Sequence, residues 1–211
     1  PVTYDKQIWL FAIDGDGGDL LLFQRIMGGD KDEQGVHLQM ISDDRIAITG
    51  WSLSYTRNTG KKTQFILITN NTGGVVSFIP VRDISTEPAV IYDEEASCIR
   101  VLGDGSYLIT GTTTTSGKGT DVIVKKVSIV SSNFVPVWVK TFGTSGNDQG
   151  ISALPDGEGF SLLTTTAVDG NNSSITIINI DSEGTNPAYF TFGQGSRFTG
   201  RNFRRTDDNG F

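Results

Sequence analysis

Apolar residues along this chain fall in short runs or at every second position, never at helical spacing. Ile8-Trp9-Leu10-Phe11-Ala12-Ile13 opens the pattern, and comparable runs begin at Phe65, Val122 and Ile175. Each is too short for a helix of ordinary length and is bounded by Gly, Asn, Asp and Ser, which predicts strands joined by tight turns. In the first stretch the expected strands are residues 8–13, 20–26, 35–41 and 45–53. The turns between them are Asp14-Gly15-Asp16-Gly17-Gly18, the loop 28–34, and Ser42-Asp43-Asp44. A later stretch predicts strands at 122–127, 135–142, 150–154 and 159–166. Pro136 and Pro155 are expected at strand edges or turns, where a missing N–H costs least.

The pattern repeats. Met27-Gly28-Gly29-Asp30-Lys31-Asp32-Glu33-Gln34-Gly35 matches Phe142-Gly143-Thr144-Ser145-Gly146-Asn147-Asp148-Gln149-Gly150 at Gly, Gln and Gly, with an acid before Gln in both. Phe192-Gly193 through Gly200 is a weaker copy. Ile46-Ala47-Ile48-Thr49-Gly50 matches Tyr107-Leu108-Ile109-Thr110-Gly111, with Phe160-Ser161-Leu162-Leu163-Thr164 as a degenerate third. The runs starting at 8, 65, 122 and 175 divide the chain into units near 8–64, 65–121, 122–174 and an incomplete 175–211, within one repeat domain spanning 1–211. Four strands per unit at this period predict an all-β fold of antiparallel four-stranded blades, as in a β-propeller of just under four blades. Such sheets bury their apolar rows against one another. The small residues Thr49-Gly50 and Thr110-Gly111 are expected to admit close approach between neighbouring sheets. The last unit is expected to supply strands at 175–180, 188–192 and roughly 200–206, and residues 2–4 a short closing strand. Units of this length leave the final one a strand short. The expectation is a segment of a larger propeller, or a chain whose open edge docks against another; the alternative is a small closed ring.

Composition narrows the functions. The 211 residues carry a formal net charge of -7 and a pI near 4.6, which argues against nucleic-acid binding. One cysteine, Cys98, excludes an internal disulfide and a cysteine metal cage; one histidine, His37, excludes a histidine zinc cluster. No apolar run reaches the roughly 20 residues of a transmembrane helix.

The order strand, D-x-x-G turn, strand, F-G-G-x-x-x-D-x-G, strand, D-G-G-Y-x-x-x-G resembles repeat propellers of secreted and surface lipoproteins of Bacteroidetes-type bacteria. The matching stretches are Ile180-Asp181-Ser182-Glu183-Gly184, Phe142 through Gly150, and Gly103-Asp104-Gly105-Ser106-Tyr107-Leu108-Ile109-Thr110-Gly111. The family's aromatic closing the second strand is Trp138 in the third unit and Phe23 and Phe78 in the first two. The resemblance covers nearly the whole chain, and its motifs specify turns. It implies an extracellular or outer-membrane surface location, tethering through a lipidated cysteine that these residues do not include, protein partners at the cell surface, and a non-catalytic binding or scaffold role as an accessory lipoprotein or subunit. A glycan ligand is compatible with that setting. The alternative is a propeller-fold carbohydrate-active enzyme, a hydrolase or lyase using carboxylates across a central channel.

Candidate chemistry is sparse. Asp14 through Asp19 clusters acids and glycines as a calcium loop would, yet lacks the bidentate Glu of an EF-hand, and a hairpin turn accounts for it. Asp30, Asp32 and Glu33 form an acidic loop read as solvated, without the buried setting that shifts a catalytic carboxylate. His37 lies on a strand face opposite Val36 and Leu38. Cys98 reads as a small core or interface residue. Thr72-Gly73-Gly74-Val75-Val76-Ser77-Phe78 is distantly similar to a quinoprotein turn, with no cofactor-binding set around it. Arg197, Arg201, Arg204 and Arg205 form a basic cluster able to meet an anionic partner. No catalytic, cofactor-binding or metal residue and no cofactor is assigned from the sequence.

Overall fold

A computed structural model describes residues 5–15, 21–56, 60–81, 92–114, 119–130, 133–168, 172–193 and 196–206. Among them there are fourteen strands and no helix, and so no helix able to cross a membrane. In chain order the strands are β1 (Ile8–Ile13), β2 (Leu21–Met27), β3 (Glu33–Ser42), β4 (Arg45–Ser52), β5 (Thr63–Asn70), β6 (Val75–Pro80) and β7 (Glu94–Val101). There follow β8 (Tyr107–Thr114), β9 (Thr120–Val130), β10 (Asn133–Phe142), β11 (Gln149–Asp156), β12 (Gly159–Ala167), β13 (Ser173–Ile180) and β14 (Ala188–Phe192). Within each sheet, strands that follow one another in the chain pair antiparallel, as in a meander.

The strands form a two-stranded sheet I (β1, β2) and three four-stranded sheets: II (β3–β6), III (β7–β10) and IV (β11–β14). These sheets fit the blades of a propeller, and no closed ring is present among the described residues. The sheets are out of phase with the sequence units. Sheet II takes the last two strands of the first unit and the first two of the second. The links differ in what they join: the loop at 28–32 carries the chain from the outer strand of one sheet to the inner strand of the next, whereas residues 53–62 join neighbours within sheet II. The expected strand at 200–206 is also absent. That segment lies against sheet IV without a ladder partner, and the isolated bridge between Ser173 and Arg197 falls just before it. The expected strand at 2–4 lies outside the described residues.

The repeat is closest at the three places where the chain changes sheets and in the segment after sheet IV. The N–H groups of Glu33, Glu94, Asp148 and Phe198 donate to the carbonyls of Lys6, Lys62, Thr120 and Ser173, four copies of one lock. Just beyond it each inner strand carries a bulge at the same place, between Gly35 and His37, Ala96 and Cys98, and Gly150 and Ser152. Across from the bulge, a Cβ on Gly50 or Gly111 would fall within 1.7 or 2.0 Å of the Gln34 or Glu95 carbonyl oxygen. These glycines therefore admit the bulged strand of their own sheet, and Gly111 also admits the sheet before it, since its Cβ would lie 2.8 Å from Gln64 Nε2 of sheet II. The expected close approach between sheets is thus made at Gly111 and not at Gly50, and it recurs at Gly150, whose Cβ would meet the Gly111 carbonyl of sheet III at 2.4 Å.

Three apolar layers hold the stack. Ile8 and Leu10 pack on Ile48, Phe65 and Leu67 between sheets I and II. Ala47, Ile66 and Ile68 meet Ile99, Tyr107, Ile109 and Val127 between II and III. Leu108, Val122 and Val124 meet Phe160, Leu162, Ile178 and Ile180 between III and IV. Each fully buried aliphatic of this kind contributes about 1.5–3 kcal/mol. At the margins of the I–II and III–IV layers the aromatic of the second strand sits under the next sheet's outer turn: Phe23 under Gly73 and Trp138 under Gly184, both glycines at positive φ, where a side chain would be strained and would crowd the ring. Pro136 and Pro155 lie on edge strands β10 and β11.

Candidate functional site

The acidic loop of the first motif is not solvated throughout. Glu33 is 1 % exposed, against the expectation from its sequence surroundings. Its Oε2 accepts the Gly29 N–H at 2.8 Å, and its Oε1 accepts the Ser52 hydroxyl at 2.9 Å and the Ser54 N–H at 3.3 Å. Asp148 does the same in the second copy: Oδ2 accepts from the N–H and the hydroxyl of Thr144, and Oδ1 accepts the Ala167 N–H at 2.8 Å. The glycines that open the motif make this possible, since a Cβ on Gly28 would lie 2.4 Å from Glu33 Oε2. Asp32 stays nearer the surface and accepts the Lys6 N–H, and Asp30 is exposed. The three acids thus do not converge on one site. The sequence signal for the buried one was the acid before Gln in both motif copies.

Glu94, at the same strand position, turns to a different partner. Its Oε2 lies 2.5 Å from Lys125 Nζ, and Lys125 is wholly buried between sheets II and III, also donating to the Val81 carbonyl at 3.3 Å. Nothing in the sequence patterning singled out Lys125.

The inner edges of sheets III and IV are closed by side chains of the sheet before. His37 Nδ1 accepts the Ile99 N–H and Gln39 Oε1 accepts the Val101 N–H, both on β7. Ser97 donates to the Gly150 carbonyl at 2.6 Å, and Arg100 Nε donates to the Ala153 carbonyl at 2.7 Å, both on β11. Burial, and then the Arg100 guanidinium, hold the His37 imidazole below its usual range. Cys98 is buried at the same junction, where its sulfur receives the Ser152 hydroxyl at 3.7 Å.

A cleft of about 740 Å³ opens at one end of sheet IV, beside the 143–148 crossover. Ser145, Asn147, Gln149, Asn172, Thr199 and Arg197 present hydroxyl, amide and guanidinium groups to it, and none of the described lining residues is a carboxylate. The basic cluster of the sequence does not assemble here. Arg197 lines the cleft, Arg205 pairs with Asp156 at the β11–β12 turn, and Arg201 and Arg204 are exposed. Residues 16–20 and 207–211 lie outside the described residues, and with them most of the Asp14–Asp19 loop. Among the described residues, no group of three or more His, Cys, Asp and Glu side chains is placed to hold a metal ion. Thr72 and Gly74 donate to Asn70 Oδ1 in an ordinary turn.

Compared with protein-family models, the chain matches none, and no curated protein is significantly similar to it in sequence.

Proposed function

We propose that this protein is a non-catalytic recognition module whose sheet IV cleft binds a hydroxyl-rich ligand, neutral or acidic, of the kind a surface glycan presents. The carrying observation is the cleft lining: amides and hydroxyls that donate and accept, with a single guanidinium for a carboxylate or sulfate, in a chain of net charge -7. The acids of the repeat support the same reading. Glu33, Glu94 and Asp148 are engaged inside the protein, where they hold crossovers and a buried lysine. The setting proposed, an accessory lipoprotein or subunit at a bacterial outer surface, rests on the resemblance of the 142–150 and 103–111 motifs to surface lipoprotein propellers.

Titration with a panel of neutral and acidic oligosaccharides, with product analysis in parallel, tests this. Saturable binding without turnover, weakened roughly tenfold or more by Arg197→Ala, is the expected result. Turnover abolished by replacing one acid would make the protein an enzyme. No binding to any member, together with a protein partner recovered from native membranes, would replace the ligand module with a scaffold.

A further inference from the structure

We infer that His37 is an acid-operated latch: neutral, it closes the inner edge of sheet III, and protonated, it releases that edge. One contact carries this. His37 stands on β3, across the ladder from Thr49, and its Nδ1 accepts the Ile99 N–H of β7 at 3.4 Å. An imidazole accepts at Nδ1 only when it is neutral with its proton on Nε2. Protonation puts an N–H on Nδ1, so donor faces donor and the Ile99 amide loses its acceptor. The residue is only partly buried, so solvent can deliver the proton.

The charged surroundings give the new cation nowhere to settle. Strands β1, β4 and β7 pack against β3. β1 has no titratable residue, and β4 has only Arg45, at the far end of the strand opposite Ser42. On β3 itself, Glu33 is held by its own crossover. On β7, Glu94 and Glu95 are taken by Lys125 and Lys62, and Cys98 is buried beside Ser152. That leaves Arg100, whose positive charge acts on the imidazole and whose Nε is fixed by the Ala153 carbonyl at 2.7 Å. The imidazolium thus meets a cation that is tied in place. Burial, and then this guanidinium, set the release below the ordinary histidine range near pH 6.5.

The neighbours make the latch local. Two residues along the same edge, the Val101 N–H is accepted by Gln39 Oε1, an amide that does not titrate. At the next seam, β11 is held by the Ser97 hydroxyl and the Arg100 guanidinium, which keep their charge states across this range. Acid therefore acts on the seam between sheets II and III, and within it on the amide of Ile99.

Amide exchange of the isotope-labelled 211-residue chain, corrected for the intrinsic effect of pH, tests this, with the ring nitrogen shifts of the single histidine read alongside. At neutral pH those shifts should place the proton on Nε2. Between about pH 7.5 and 5, protection of Ile99 should fall roughly tenfold or more in step with the titration of His37, while Val101 changes little. His37→Gln supplies an amide acceptor in the manner of Gln39 and should keep Ile99 protected throughout. His37→Ala should leave Ile99 unprotected at both ends of the range, with the strand-rich circular dichroism spectrum retained. A proton on Nδ1 at neutral pH, an imidazole still neutral at about pH 5, Ile99 protection that ignores the titration, or a pH response that persists in His37→Gln would each overturn the inference.

Discussion

The junction between sheets II and III and the one between III and IV share a backbone lock but are closed by different side chains. At III–IV the acid beside the lock is Asp148, which curls back on its own crossover and neutralises backbone donors. At II–III it is Glu94, which reaches across to Lys125 in a position that is Leu67 in one neighbouring sheet and Ile178 in the other. Geometry is thus set by the main chain, and the side chain at the lock is free to take on local work. The price is unequal, because a buried ion pair depends on both members whereas a carboxylate among N–H groups depends on the loop.

The sharpest way to break this contrast is to orphan the lysine. Glu94→Ala should destabilise the protein by about 3–5 kcal/mol in urea denaturation, and adding Lys125→Met should recover most of the loss. Recovery absent in the double variant would mean that Glu94 acts through something other than Lys125. Asp148→Ala comes next, at roughly 2–3 kcal/mol, from the donors of Thr144 and Ala167 left without their acceptor. Its effect should fall on the 143–148 crossover, seen as faster amide exchange there than at 28–32.

A smaller effect follows from His37. Its folded-state proton affinity is lowered, so the unfolded chain binds the proton more readily. Stability is therefore complete above the ordinary histidine range, near pH 6.5, and declines as pH falls through it. Urea melts between pH 7.5 and 5.5 should show this slope, and His37→Gln should flatten it. Arg205→Ala should change least, by under about 1 kcal/mol, since its pairing with Asp156 is well exposed to water.

Most strands were legible because β-branched runs bounded by turn residues leave few other options, and β14 falls at 188–192 as expected. Which strands share a sheet was not legible. Every run carries a similar apolar pattern, and only the loops distinguish a crossover from a hairpin. Glu33 read as solvated because its sequence neighbours are polar; its burial comes from Ser52 and Ser54, a strand away. The four arginines are near in sequence, but an extended segment carries Arg197 and Arg205 to opposite ends of sheet IV. The cleft had no sequence signal, since its amides and hydroxyls come from one crossover, one hairpin and the segment after β14, and none is unusual alone.

The side chains that close the inner edges all point the same way along the chain. His37 and Gln39 precede the strand they cover, and so do Ser97 and Arg100. During synthesis, β7 and β11 emerge to find these partners already in place on the sheet behind them. Part of their open N–H and C=O edge is shielded before the next hairpin exists. Growth from the other terminus would leave both edges open at that stage, which gives this part of the stack a built-in direction of assembly.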